Sequence, residues 1–272
     1  MKKHYFIFTL LSLFISCTAI AQPAQRIISL VPAITKSIYQ LGAQKQLVGC
    51  TSFCQLQNEN DAQIVSSAVK VNMEKCLLLK PDLIITSSLI PRESVEMFQK
   101  LGIQVLDFSY PKSFDEICSQ FITLSTMLGK ESNALLIVDQ AKNRLKSVQS
   151  KISKSNSQPS VFMQIGANPL FAVVQNTFMN DFITFAGCRN IAENMTRGSI
   201  ARETVLVQNP DYIIVVFMGS MGRDESDKWR KFSSLKAVKE NHIFELDANL
   251  ACSPTPNDFV TILEQIITNI YP

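Results

Sequence analysis

The chain is predicted to fold as an α/β protein of two parallel-sheet α/β lobes bridged by one long α-helix. Three observations predict it. Short apolar β-rich runs alternate with amphipathic helical stretches in both halves, one long helical pattern separates the halves, and a segment of the first half is echoed in the second. Composition agrees. In 272 residues, 46% are apolar against 18% charged, which fits a packed globular protein of two lobes and excludes disorder. Nine glycines and 11 prolines are too few for a collagenous or low-complexity chain.

Residues 1–21 read as an export signal. Lys2 and Lys3 precede an apolar run at 5–15, and Ala19-Ile20-Ala21 before Gln22 forms a small-residue cleavage site. The run is too short to span a bilayer. A rival reading takes Leu13-Phe14-Ile15-Ser16-Cys17 as a lipoprotein signal, with Cys17 as the lipidated first residue. Cleavage after Ala21 removes two of the 26 basic residues and none of the 23 acidic ones, leaving a net charge of +1. With no dense basic stripe, nucleic acid is not an expected partner. His4 is removed as well, so His242 is the only histidine left, which excludes a multi-histidine metal site.

The first lobe is expected over 22–130, with strands at 27–31, 47–50, 83–85 and 103–108. Residues 131–153 place Ala134, Val138, Ala141, Leu145, Val148 and Ile152 at alternating steps of four and three, the period of one helical face. At 1.5 Å per residue this helix reaches roughly 34 Å, enough to run along both lobes. The second lobe, 154–272, repeats the rhythm with strands at 161–165, 212–217 and 243–246 and a closing helix near 257–270.

The echo pairs Glu74-Lys75-Cys76-Leu77-Leu78-Leu79-Lys80-Pro81-Asp82-Leu83-Ile84-Ile85 with Glu203-Thr204-Val205-Leu206-Val207-Gln208-Asn209-Pro210-Asp211-Tyr212-Ile213-Ile214. Each reads as a short helix stopped before a proline and followed by a buried strand. By itself, each glutamate need only complement the positive end of its helix.

Ligands of parallel α/β sheets collect at the carboxyl ends of the strands. Candidate ligand-binding residues there are Pro32, Phe53, Cys54 and Ser87 in the first lobe, and Asn168, Pro169, Phe171, Asp247 and Cys252 in the second. Phe53 and Phe171 each follow a strand end and offer a flat apolar face. The segments carry no phosphate loop and no paired carboxylates beside a nucleophile, and their small, hydroxylic, aromatic and thiol lining suits holding a ligand better than transforming it. Of the six cysteines after cleavage, Cys76 and Cys118 sit in apolar patterns as core residues; Cys50, Cys54, Cys188 and Cys252 fall in or near loops.

Five segments, Arg26-Ile27-Ile28-Ser29-Leu30-Val31-Pro32-Ala33, the two echoed Pro-Asp segments, Phe162-Met163-Gln164-Ile165-Gly166-Ala167-Asn168-Pro169-Leu170-Phe171, and Gly187-Cys188-Arg189-Asn190-Ile191, resemble the long-helix class of periplasmic substrate-binding proteins of ABC importers. Within it the chain is most similar to cobalamin-binding members, with siderophore- and haem-binding members beside them. The resemblance implies a ligand held between the lobes with little hinge closure, no chemistry and no cofactor of the protein's own, and a transported metal chelate: a corrinoid, a ferric siderophore or haem. It implies an ABC permease dimer as partner, docked through one acidic residue per lobe at Glu74 and Glu203, and a periplasmic protein that meets the membrane only through the permease or a lipid anchor at Cys17. Phe53 keeps one aromatic position of the cobalamin pattern, whereas Ala68, Ser87 and Arg197 stand where relatives carry tryptophan, so the chelate stays open.

The implied architecture turns the loops of Cys50, Cys54 and Cys252 toward one cleft. Three readings follow: a Cys50–Cys54 disulfide or unpaired thiols, a Cys54–Cys252 bond that staples the lobes, or thiolate coordination by Cys50, Cys54 and Cys252 to the chelate's metal. An exported thiol-dependent enzyme using Cys54 or Cys252 is the alternative function; such a thiol needs a nearby cation or helix N-terminus to lower its pKa.

Overall fold

Runs of Ile, Val and Leu buried on both faces build two sheets. The computed structural model describes residues 22–58, 61–67, 70–152, 158–217 and 221–272. The expected export signal, Cys17 and Ala68 lie outside them. The first lobe comprises β1 (Ile27–Ser29), α1 (Pro32–Gln40), β2 (Leu47–Thr51), β3 (Gln63–Ser66), α2 (Met73–Leu78), β4 (Leu83–Ser87), α3 (Arg92–Lys100), β5 (Gln104–Phe108) and α4 (Phe114–Leu128). Its strands are all parallel in the order β3-β2-β1-β4-β5. After the bridging helix α5 (Glu131–Ile152), the second lobe comprises β6 (Ser160–Ala167), β7 (Leu170–Ala172), α6 (Phe178–Phe185), β8 (Arg189–Asn190), α7 (Arg202–Gln208), β9 (Tyr212–Phe217), α8 (Met221–Arg230), α9 (Lys236–Lys239), β10 (Ile243–Asp247), α10 (Ala248–Ala251) and α11 (Pro256–Ile270).

The second sheet departs from the all-parallel expectation. Its order is β10-β9-β6-β7, with β8 also on β6, and β7 runs antiparallel to β6. Two residues separate β6 from β7, far fewer than a parallel crossover needs, so the chain can only return as a hairpin.

Caps set the helix limits. Pro32 and Pro256 open α1 and α11, and Asn72, Ser113 and Thr255 accept backbone N–H groups in the first turns of α2, α4 and α11. Gly129 closes α4 in the left-handed region at φ 65°, where a side chain would also meet Pro23.

The echoed segments share a structural task. Lys80 and Asn209, ahead of the two prolines, both adopt left-handed backbone. Asp82 then accepts the N–H groups of Gln25 and Arg26 at the entrance of β1, and Asp211 accepts that of Ser160 at the entrance of β6. Each Pro-Asp pair thereby ties its own strand to the first strand of its lobe.

One core joins the lobes. The α5 face of Ala134, Val138, Ala141 and Val148 is buried between α4 and α11, in a continuous apolar cluster that includes Ile27 and Leu83 of the first sheet and Val161 and Ile214 of the second. At the seam, Phe259 of α11 packs on Phe114 of α4 and Phe182 of α6 with ring centroids 4.6 and 4.5 Å away. Asp181 accepts the Phe114 N–H at 2.8 Å, and Arg144 pairs with Glu264 at 2.7 Å. A shared core of this kind opposes wide opening of the lobes.

Candidate functional site

In the first sheet β1 lies between β2 and β4, so the loops leaving those neighbours diverge above its carboxyl end. The ends of β6 and β9, helix α8 and the segment after β10 meet them from the second lobe. Together they wall a cleft of about 610 Å³. Its first-lobe wall comprises Leu30, Val31 and Pro32 after β1, Thr51 and Phe53 at the end of β2, and Ser87 and Leu89 at the end of β4. Its second-lobe wall comprises residues 164–168, Phe217, Glu225, Asn249, Cys252 and Ser253. A further cavity of about 450 Å³ shares Pro32, Ser87, Leu89 and Cys252 with the first and continues past Tyr110 and Phe121. Both volumes lie in the range of pockets for organic ligands.

Of the expected site residues, Pro32, Phe53, Ser87, Asn168 and Cys252 line the cleft. Phe53 is 55% exposed, presenting its ring without core duty. The structure puts four others outside the cleft wall. Pro169 forms the turn between β6 and β7. Phe171 pairs with Gly166 across that hairpin and rests its ring on Gly198, where no Cβ would fit, so Phe53 and Phe171 do not form a sandwich around a ligand. Asp247 caps α10, its carboxylate accepting the Asn249 N–H at 2.7 Å. Cys54 turns inward to the hydroxyls of Thr35 and Thr51 at 3.1 and 3.3 Å.

The three thiols do not converge on the cleft. All six described cysteines are free, and no three metal-ligating side chains gather among the described residues. This corrects the coordination reading for Cys50, Cys54 and Cys252: Cys50 faces the core from β2, Cys54 points to α1, and Cys252 alone lines the cleft. It corrects the stapling bond too. The Cys50 thiol donates to Cys54 and, with the hydroxyls of Thr35 and Thr51, outweighs burial to bring Cys54 down to about 6. Burial and the nearby Asp247 push Cys252 up to about 11. His242, stacked on Tyr212 at the opposite end of β10, is no base for either thiol.

Sequence reasoning missed the polar end of the second-lobe wall. Gln164, within an otherwise apolar strand, accepts the Trp229 indole N–H at 2.7 Å and donates to Glu225 at 3.0 Å. Arg202 reaches the same carboxylate at 2.9 Å and lies over the Trp229 ring, and Lys228 binds its other oxygen. Trp229 is fully buried and packs edge-on against Phe162. A polar residue in the middle of a buried strand was the one available signal; Glu225 is lost in a charged helix.

Comparison with known proteins agrees with this geometry. Residues 27–250 match the family model described as periplasmic binding protein. An ABC transporter substrate-binding lipoprotein of Bacillus subtilis is 27% identical over 93% of this chain and 82% of its own. The vitamin B12-binding protein of Vibrio cholerae is 28% identical over 94% of this chain and 93% of its own. Among solved structures, the periplasmic vitamin B12-binding protein of Vibrio cholerae matches with a TM-score of 0.79 at 26% identity, over 91% of this chain and 97% of that one. The periplasmic haem-binding protein of the same organism reaches 0.81 at 18% identity, over 91% and 99%, a likeness of fold.

Proposed function

The chain belongs to the periplasmic binding protein family, and from that premise we propose that it captures a metal chelate of corrinoid, haem or ferric-siderophore type outside the cytoplasm and delivers it to an ABC permease dimer. The observation that carries this reading is the cleft: a largely apolar cavity at the carboxyl ends of both sheets, with hydroxyl and amide groups at intervals along its walls. Such a lining holds a large organic ligand and offers no nucleophile with a base beside it. Membership of a family of solute-binding transport proteins supports binding over the thiol-dependent enzyme, and in this reading the chelate is cargo and the protein performs no reaction of its own.

Docking is assigned to Glu74 and Glu203. Both lie exposed in the first turn of a short helix, one per lobe, and both have an exposed apolar neighbour, Leu78 at 74% and Val207 at 85%. One acidic and apolar patch per lobe suits a partner with two similar subunits. The protein is placed in the periplasm or anchored through Cys17; the lipoprotein relative supports the second form.

Difference absorption titrations with cyanocobalamin, haemin and a ferric hydroxamate test the reading. Saturable one-to-one binding of at least one, with a dissociation constant of about 1 μM or below (about −8 kcal/mol), is expected. Saturable binding of none of the three overturns it.

A further inference from the structure

Glu225 is the one formally charged side chain among the described residues that line the cleft. It is only 4% exposed, so its surroundings are fixed. Burial pushes its carboxyl up, but hydrogen bonds from Lys228, Gln164 and Arg202 outweigh that and hold it below the ordinary value. The two cations stand behind it: neither Arg202 nor Lys228 lines the cleft. What meets a ligand there is an ionised carboxylate, which can only accept hydrogen bonds.

Gln164 sets the pattern beside it. An indole N–H can only donate, so the contact with Trp229 fixes the amide oxygen of Gln164 toward Trp229 and its nitrogen toward Glu225. One amide hydrogen serves Glu225 and the other remains on the same nitrogen. Donor and acceptor thus stand side by side at the cleft wall, the complement of a carboxamide, which offers a carbonyl oxygen and N–H groups together. A ligand carboxylate in the same place can take the remaining Gln164 N–H with one oxygen, but its other oxygen lies against Glu225 with no proton between them.

We propose that Glu225, positioned by Gln164, selects chelates that carry carboxamides or other N–H donors at this wall and turns away chelates that carry carboxylates. The proposal rests on the cleft being the chelate site. It assigns a specificity role to a residue outside every loop motif and narrows the ligand class to neutral or cationic amide-bearing complexes.

The test compares ligands of one shape and two rim chemistries. Dicyanocobinamide, with carboxamides around the corrin, is titrated against dicyanocobyrinic acid, which has carboxylates at those positions; haemin, with two propionates, is titrated against its bis-amide. In each pair that binds, the wild-type protein should favour the amide member by about tenfold or more. Glu225→Gln should bring that ratio close to one. Since this change leaves Arg202 without its counter-charge, Glu225→Gln with Arg202→Met is made in parallel; it removes both charges, and melting temperature checks that it folds. Equal or tighter wild-type binding of the carboxylate members overturns the proposal alone, as does an unchanged ratio in the folded variants. Failure of all four ligands to bind overturns it, and the chelate reading beneath it falls as well only when the ferric hydroxamate also fails to bind.

Discussion

Phe53 is the side chain on which first-lobe ligand contact should depend most, because its ring stands in the cleft and little of it packs into the core. Phe53→Ala is expected to weaken chelate binding by about 1–3 kcal/mol, the scale of one lost aromatic contact, with the melting temperature unchanged. Parallel losses of affinity and melting temperature would make it a core residue instead. A second residue-scale expectation concerns acid. At Asp211, burial raises the carboxyl, yet the Lys236 ammonium and the Ser160 hydroxyl and N–H bring it down to about 2. A depressed carboxyl stabilises the fold fully above its unfolded pKa of about 3.9, and that contribution disappears as pH falls through about 2. Asp211→Asn should therefore cost about 1–2 kcal/mol at pH 7, allowing for the half-exposed lysine, and little near pH 2. Thermal unfolding at the two pH values checks this; an equal deficit at both would contradict it. At this scale Phe53 and Ser87 were legible because they follow strands that any apolar pattern reveals. Phe171 was misplaced for the same reason: it follows a strand end in sequence, but a hairpin turns it away.

Between elements, Lys36 ties the lobes beside the cleft. From α1 its ammonium donates to the carbonyls of Asn249 and Ser253 at 2.8 and 3.1 Å and pairs with Asp258 of α11 at 2.5 Å. A first-lobe helix thereby fixes a second-lobe loop that lines the cleft. Lys36→Met should leave Asp258 without its counter-ion and cost about 2–3 kcal/mol, less than a fully buried pair because both partners keep some solvent contact. Urea unfolding gives the loss, and hydrogen exchange should quicken at 249–253; unchanged exchange there would show that the loop holds itself. The strands legible in advance were those rich in Ile, Val and Leu: β1, β2, β4, β5, β6, β9 and β10. The missed ones are short or polar. β3 begins with Gln63 at the edge of its sheet, β7 has three residues and β8 two, too few to set up an alternation. The Lys36 clamp gave no signal, since a lone lysine in an amphipathic helix reads as solvated.

For the whole molecule, the continuous core through α4, α5 and α11 makes the protein a nearly rigid holder, and under the proposed function its two ends, at Glu74 and Glu203, face one partner. Glu74→Lys with Glu203→Lys should abolish uptake while leaving affinity in solution within about twofold, both carboxylates being exposed and away from the cleft. Retained uptake, or collapsed affinity, would remove the docking assignment. The long period of α5 and the repeated strand rhythm made this architecture readable. The meeting of the two walls was not readable, because it depends on contacts between residues far apart in the chain. The central claim is that the interlobe cleft carries a metal chelate. Native mass spectrometry with an absorption spectrum, on protein recovered from its own cells, tests it most directly. One chelate per chain is expected, with a visible band from its metal complex and reduced occupancy in Phe53→Ala; a chain that carries a colourless, metal-free solute at full occupancy, unaffected by that change, would contradict it.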